Sequence, residues 1–276
     1  MRPCHKVLPA LLMAAGVLHS QEPAPICGLP EIVQLPVEET TVLYRRGIPT
    51  DNPTFLIREH YTSSTLIEVE FYLMHDDAAF SVYVEAAEWD SGNVDAPAVD
   101  TLVAAFRDHT FEGSIDPDRG IKPIAEDVFG PPPDIDHNGK VFILLIDVRD
   151  DFVLDSSETY VAGYFDPLDQ GQRGNLADII YLDTNPGTFS GPQAINMFST
   201  LAHEYQHLIH YGWDTREATW INEGLSELSP VLMGIPLRDL APYLSDTNVR
   251  LDSFGNELVD YARSGLFFIY TWIQLG

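Results

Sequence analysis

The chain has 276 residues, 45% of them hydrophobic and 21% charged, enough for a sizeable core in one large or two modest domains. Its charge balance is unusual: 15 basic against 42 acidic residues give −27 at neutral pH. Such a surface repels nucleic acid and anionic lipid and draws cations, which sets nucleic-acid binding aside as a function class.

In chain order, residues 1–20 have the layout of a secretory signal peptide. Arg2 and Lys6 form a short basic region, Val7 to Leu18 an apolar run too short to span a bilayer, and Leu18-His19-Ser20 a cleavage site before Gln21. The sequence shows no other candidate transmembrane stretch, so export to an extracellular or periplasmic location is expected. Cys4 leaves with the signal, and Cys27 remains as a single thiol with no nearby histidine expected, so neither a disulfide nor cysteine-based catalysis is expected. Residues 21–60 form a Pro-rich extended segment.

From Thr65 to Met74 polar and apolar residues alternate as in a half-buried strand, and Phe80 to Ala86 repeats the signal after a turn at His75-Asp76-Asp77. Asp95 caps a helix that has Pro97 in its first turn and Val99, Leu102, Val103 and Phe106 on its apolar face. Asp134, Asp136 and Asn138 alternate ahead of Gly139 like the first half of a calcium loop, but Leu145 stands where the bidentate glutamate belongs. A plain Asx-rich turn and a calcium-binding turn both fit. The acidic loop from Asp147 to Glu158 reads as a solvated face that could lend oxygens to such a cation.

Val141 to Ile146 is continuous apolar and reads as a buried strand. Tyr160 to Phe165 and Asp178 to Leu182 are two further strands. Gly187 to Pro192 is a turn that launches a helix of about residues 191–211, with Ile195, Phe198, Leu201 and Ala202 on its buried face and Gly212 placed to end it. A second helix of about residues 219–229 follows, ended by Pro230 and Pro236, and Leu258 to Tyr270 forms another.

The first of these late helices carries H-E-x-x-H as His203-Glu204-Tyr205-Gln206-His207. Residues four apart share a helix face, so His203 and His207 can aim both imidazoles at one zinc ion, while Glu204 stands beside it as a base rather than a ligand. Catalytic zinc sites keep three protein ligands, and Glu223, on the helix that returns fifteen residues beyond His207, can supply the third. His210 is a backup ligand candidate, with a boundary position near the helix end as the plainer reading.

With Asn222-Glu223 and Glu227, the pattern resembles the gluzincin metallopeptidases, and Trp220-Ile221-Asn222-Glu223-Gly224 is similar to the W-L-N-E-G of zinc aminopeptidases. The longer string from Gly163-Tyr164-Phe165-Asp166 through His207 is similar to the hyicolysin-type secreted peptidases. The metzincin pattern is not met, because His210 and Trp213 stand where it needs glycine and histidine.

The resemblance implies an α+β, zincin-like peptidase domain over residues 61–276, with a β-rich N-terminal portion, a site helix, and a C-terminal subdomain that is short or truncated. It implies Glu227 as acceptor for the outer ring N–H of His203, with Asn222 beside it, and an edge strand from the 178–182 region bordering a substrate cleft. Tyr261 becomes a candidate donor to the oxyanion, against the plainer reading of a core tyrosine. The implied activity is hydrolysis of protein or peptide substrates through a zinc-activated water, with Glu204 as general base and calcium as a second candidate cation. The competing readings are a non-catalytic secreted adhesin or binding protein on the same scaffold, and an acidic calcium-binding surface protein.

Overall fold

The computed structural model describes residues 23–35, 53–154 and 156–275. The expected signal peptide at 1–20 lies outside them, as do residues 36–52 of the Pro-rich segment. The described chain opens with strand β1 (Ala24–Cys27) and the one-turn helix α1 (Leu29–Ile32), followed by β2 (Thr54–Arg58), β3 (Leu66–Asp76) and β4 (Phe80–Glu85). Helices α2 (Ala86–Ser91), α3 (Ala96–Arg107) and α4 (Ile121–Phe129) come next, then β5 (Val141–Ile146), β6 (Thr159–Phe165) and β7 (Ile179–Asp183). The last part is helical: α5 (Ala194–Tyr211), α6 (Thr219–Leu232), the short α7 (Ala241–Ser245) and α8 (Leu258–Leu275).

The strands form one seven-stranded mixed sheet in the order β1-β6-β7-β5-β4-β3-β2. β4, β5 and β7 run parallel, β6 is antiparallel to β7, and β1 is parallel to β6. Side chains alternate across the pleat. Val141, Ile143 and Leu145 of β5 face the layer of α3, α4 and α5, while Phe142, Leu144 and Ile146 face the opposite core. That is why β5 carries no polar position. β3 is long enough to pair with β4 along one half and β2 along the other, and the sheet curls so that Phe55 of β2 stacks edge-on against Phe71 and Tyr83.

Sequence and structure agree closely for α3, where the Asp95 carboxylate accepts from the Ala98 N–H at 2.9 Å and caps the first turn. They differ in four places. The 178–182 strand is interior, between β6 and β5, so β6 is the strand that lies toward the sheet edge, and β1 covers it. α6 runs through Pro230 to Leu232. A proline in the last turn removes one backbone bond, and burial of Leu228, Val231 and Leu232 against Ile269 of α8 outweighs that loss. Gly212 follows α5 in a right-handed conformation rather than the left-handed one of a glycine stop. Helix α4, with Ile121, Ile124 and Ala125 buried, was not anticipated because a single short apolar stripe interrupted by Pro123 carries little periodic signal.

Two glycines let α6 and α8 meet closely. A Cβ on Gly224 would sit 2.5 Å from the Phe268 ring, and one on Gly265 would sit 2.8 Å from the Glu227 Cβ. Among the described residues no helix is long and apolar enough to cross a membrane.

Candidate metal centre

Helix α5 buries Met197, Phe198, Leu201, Ala202, Tyr205, Leu208 and Ile209 in the main core. This fixes its rotation and turns His203 and His207 toward α6. The chain reverses after Gly212, and α6 returns with Glu223 and Glu227 facing the histidines. Ser229 Oγ donates to the Ala202 carbonyl at 2.8 Å, tying the two helices at the level of the site.

The His203 and His207 Nε2 atoms lie 3.0 Å apart. Glu223 Oε2 is 3.2 Å from His203 Nε2, and its Oε1 is 3.4 Å from His207 Nε2. The outer ring nitrogens are engaged elsewhere. His203 Nδ1 is 3.3 Å from Glu227 Oε1, and His207 Nδ1 is 3.1 Å from Asn222 Oδ1 and 3.0 Å from Ser226 Oγ. With the outer nitrogens so held, each ring presents Nε2 to the common point. Arg238 clamps Glu227 through both oxygens, Nε at 2.8 Å and Nη2 at 2.5 Å.

A donor that sequence reasoning set aside joins them. Cys27 Sγ lies 3.6 Å from His207 Nε2, and one ligand atom from each of Cys27, His203, His207 and Glu223 lies within 4.8 Å of the others. The expectation that no histidine stands near Cys27 is therefore corrected. Parallel pairing of β1 with β6 closes a gap of 180 residues that spacing alone could not reveal.

Glu204 is fully buried; no N–H or O–H donor among the described residues reaches either carboxylate oxygen, and the Cys27 thiol is its hydrogen-bonding neighbour, while Glu223 Oε1 has the 3.4 Å approach of His207 Nε2. The Glu204 helix can come this close to β6 because residue 163 is glycine. A Cβ there would lie 2.6 Å from the Tyr181 carbonyl oxygen, 2.7 Å from Thr200 Cγ2 and 3.4 Å from Glu204 Cγ.

The electrostatics follow from burial and pairing in the metal-free protein. Burial opposes charge on His203, yet Glu223 and Glu227 hold its imidazolium up to about 10. Burial pushes the Glu223 carboxyl up, and the two histidines bring it down to about 2. Glu227 is likewise raised by burial and brought down to about 2 by Arg238 and His203. Burial raises Glu204, with His203 and His207 pulling the other way. A proton thus sits where these donors could hold a cation.

The donor set is two imidazoles, a carboxylate and a thiol, which suits zinc. Tetrahedral coordination at about 2.0–2.2 Å separates N and O donors by about 3.3–3.5 Å. The histidine–glutamate spacings of 3.2 and 3.4 Å fit this, and the 3.0 Å between the imidazoles is slightly tight. The buried carboxylates of Glu204 and Glu223, short of hydrogen-bond donors, are what a metal and a polar ligand beside it would satisfy.

Tyr261 is fully buried, and its hydroxyl donates to the Cys27 carbonyl at 3.3 Å and to Asn256 Oδ1. The guanidinium of Arg238 stacks 4.5 Å above its ring. Tyr261 is therefore a core residue that also borders the site. His210 points away, 3.9 Å from Glu217, and does not join the donors.

The Asp134–Gly139 turn spends its oxygens internally. Asp134 Oδ1 accepts from the Gly139 N–H, Asp136 Oδ2 from Asn138 Nδ2, and Asn138 Oδ1 from the Lys140 N–H. No group of three His, Cys, Asp or Glu donors converges there among the described residues, so the geometry is that of an Asx-rich turn, and calcium finds no support. The neighbouring acidic loop does not complete it. Asp150 instead accepts from the N–H groups of Phe152 and Val161.

A small cleft of about 90 Å³ opens beside His207 and Glu223, walled by Leu29 and Pro30 on one side and Phe165 and Tyr211 on the other.

No protein-family model matches the chain. It is 31% identical over 178 residues to the neutral metalloprotease ShpI of Staphylococcus hyicus, an alignment covering 57% of this chain and 40% of that protein. The chain thus spans well under half of the relative's length.

Proposed function

We propose that the chain is an exported zinc metallopeptidase of gluzincin type that hydrolyses peptide bonds in protein substrates. The observation that carries this reading is the Glu204 carboxylate, buried with no N–H or O–H donor and only a thiol to meet it, beside converging His203, His207 and Glu223. A buried carboxylate so short of donors costs several kcal/mol, about 1–3 or more by mutational measures, and such a cost is expected at a site organised for chemistry. The similarity to a neutral metalloprotease supports the same reading, and the signal-like stretch at residues 1–20 supports export.

Zinc held by these donors supplies Lewis acidity that polarises a carbonyl and acidifies water near neutral pH. The rest falls to the chain. Glu204, its carboxyl raised by burial, takes the proton of the attacking water on a carboxylate oxygen and returns it to the leaving amine. Glu227, clamped by Arg238, holds the His203 ring in the orientation that presents Nε2, and Asn222 and Ser226 do so for His207. In this reading Tyr261 donates to the developing oxyanion once its hydroxyl leaves both the Cys27 carbonyl and Asn256 Oδ1.

The four-donor geometry favours one competing reading, a closed structural metal site in a non-catalytic binding protein. Such a site has no use for a buried Glu204 without an N–H or O–H donor. Chelator-sensitive digestion of casein separates the two, measured on the intact chain and on Cys27→Ser so that a thiol at the centre cannot mask activity. Hydrolysis by either form, abolished by chelation and restored by zinc, supports the peptidase; hydrolysis by neither refutes it.

A further inference from the structure

We propose that Cys27 is a fourth ligand of the metal and that β1, by carrying it there, holds the chain in a latent state. This rests on the peptidase reading above and assigns its regulation.

Four features place the N-terminal strand in the way of catalysis. First, the sulfur occupies the remaining corner of the donor set. Bonds of about 2.3 Å to sulfur and about 2.0–2.1 Å to nitrogen at tetrahedral angles put S and N about 3.6 Å apart, and Cys27 Sγ is 3.6 Å from His207 Nε2. A catalytic centre must leave that corner to water. Second, Glu204 is fully buried and its carboxylate meets the Cys27 thiol, so the sulfur stands where the residue suited to receive a proton from water would meet that water.

Third, the Cys27 carbonyl takes the Tyr261 hydroxyl at 3.3 Å, so one residue of β1 engages both the metal corner and the candidate oxyanion donor. Fourth, β1 lies along β6 as an added strand, the mode in which an extended peptide docks on a sheet edge.

The sequence of β1 fits this placement. Its register on β6 steps from Ile26↔Val161 to Cys27↔Gly163, and a bulge of this kind re-aims the following side chain. Opposite Cys27 is Gly163, where an added Cβ would lie 3.4 Å from Glu204 Cγ. Arg238, already paired with Glu227, reaches the Pro25 carbonyl at 3.3 Å, and Asn256 holds Glu31 at 2.8 Å. The strand and the helical turn after it are thus held by these polar contacts beside the site as well as by Cys27, Leu29 and Ile32 in the cores. On ligation the thiol releases its proton to solvent. On withdrawal of the strand the sulfur is reprotonated and the corner is open to water.

Zinc-edge X-ray absorption on the full chain loaded with one equivalent of zinc tests this without reference to turnover. The expected result is one sulfur scatterer at about 2.3 Å in the intact protein, lost in Cys27→Ser and in Cys27→Ala, with zinc stoichiometry kept in both. Casein hydrolysis should then rise about tenfold or more in both variants, because the competent fraction of molecules rises. An organomercurial added to the intact chain should give the same gain without any mutation, which guards against a variant that misfolds.

Zinc bound with no sulfur in its shell overturns the proposal, as does equal hydrolysis by intact chain and variants, and the peptidase reading survives either result. Sulfur in the shell with no hydrolysis in any form overturns both.

Discussion

At the scale of single residues, the roles of Glu204 and His203 separate cleanly. Neither Glu204 oxygen accepts from an N–H or O–H donor, so Glu204→Gln keeps volume and fold and removes the proton acceptor. Zinc content should remain at one per chain, while kcat in a Cys27→Ser background falls about 10²–10⁴-fold. Near-unchanged turnover would remove Glu204 from the mechanism. Behind the donors, Glu227 touches the outer nitrogen of His203 at 3.3 Å and is clamped by Arg238. Glu227→Gln should lower zinc affinity about 10–100-fold in competition with a chromophoric chelator, without abolishing binding as His203→Ala should.

The two histidines, Glu204 and Glu223 were legible in the sequence because a helix converts spacing into direction. Cys27 and Arg238 were not legible, since neither shares a helix face or a motif with the donors. Their approach depends on which strand β1 chooses and on where the loop after α6 returns.

At the scale of elements, the site depends on how closely α5 lies against β6, and Gly163 sets that distance. A Cβ at 163 would meet the Tyr181 carbonyl oxygen of β7 at 2.6 Å, which no rotamer can relieve, and Thr200 Cγ2 of α5 at 2.7 Å. Gly163→Ala should therefore destabilise the protein by about 1–3 kcal/mol, the usual cost of overpacking. Gly171→Ala is the matched control, because its nearest contact is an ordinary 3.7 Å and its φ is not positive. It should stay within about 0.5 kcal/mol of the parent.

Urea midpoints measure both, with an unchanged slope indicating that the effect lies in the native state. Equal midpoints would mean that the β7 and α5 atoms around residue 163 can move aside at no cost. The strands themselves were readable: β5 from its unbroken apolar run, β3 and β4 from alternation. Their order was not. The 178–182 segment is placed inside the sheet by β6, whose antiparallel return leaves β6 to face β1, and no residue pattern distinguishes an interior strand from its neighbour when both are apolar on both faces.

At the scale of the whole molecule, metal, protons and stability are linked through the same four side chains. In the metal-free protein Glu227 titrates at about 2 instead of near 4.5, since Arg238 and His203 overcome the effect of burial. Its folded pKa is depressed, so its contribution is complete above pH 4.5 and is lost as pH falls toward 2. His203 has the opposite sign. Its folded pKa is raised from 6.5 to about 10 by Glu223 and Glu227 against the pull of burial. Its contribution is complete below pH 6.5 and is lost as pH rises through 10.

The urea midpoint of the metal-free chain should therefore be highest between about pH 4.5 and 6.5 and decline on both sides. Zinc competes with the His203 proton, so the gain in midpoint on adding zinc should be small at pH 5 and grow toward pH 8. The measurement is a series of urea titrations across pH with chelator or with zinc in excess, at constant ionic strength because a chain of net charge −27 also responds to screening. A zinc increment that does not change with pH would mean that no ligand proton is displaced, and the donors would then not be the ones that hold the metal.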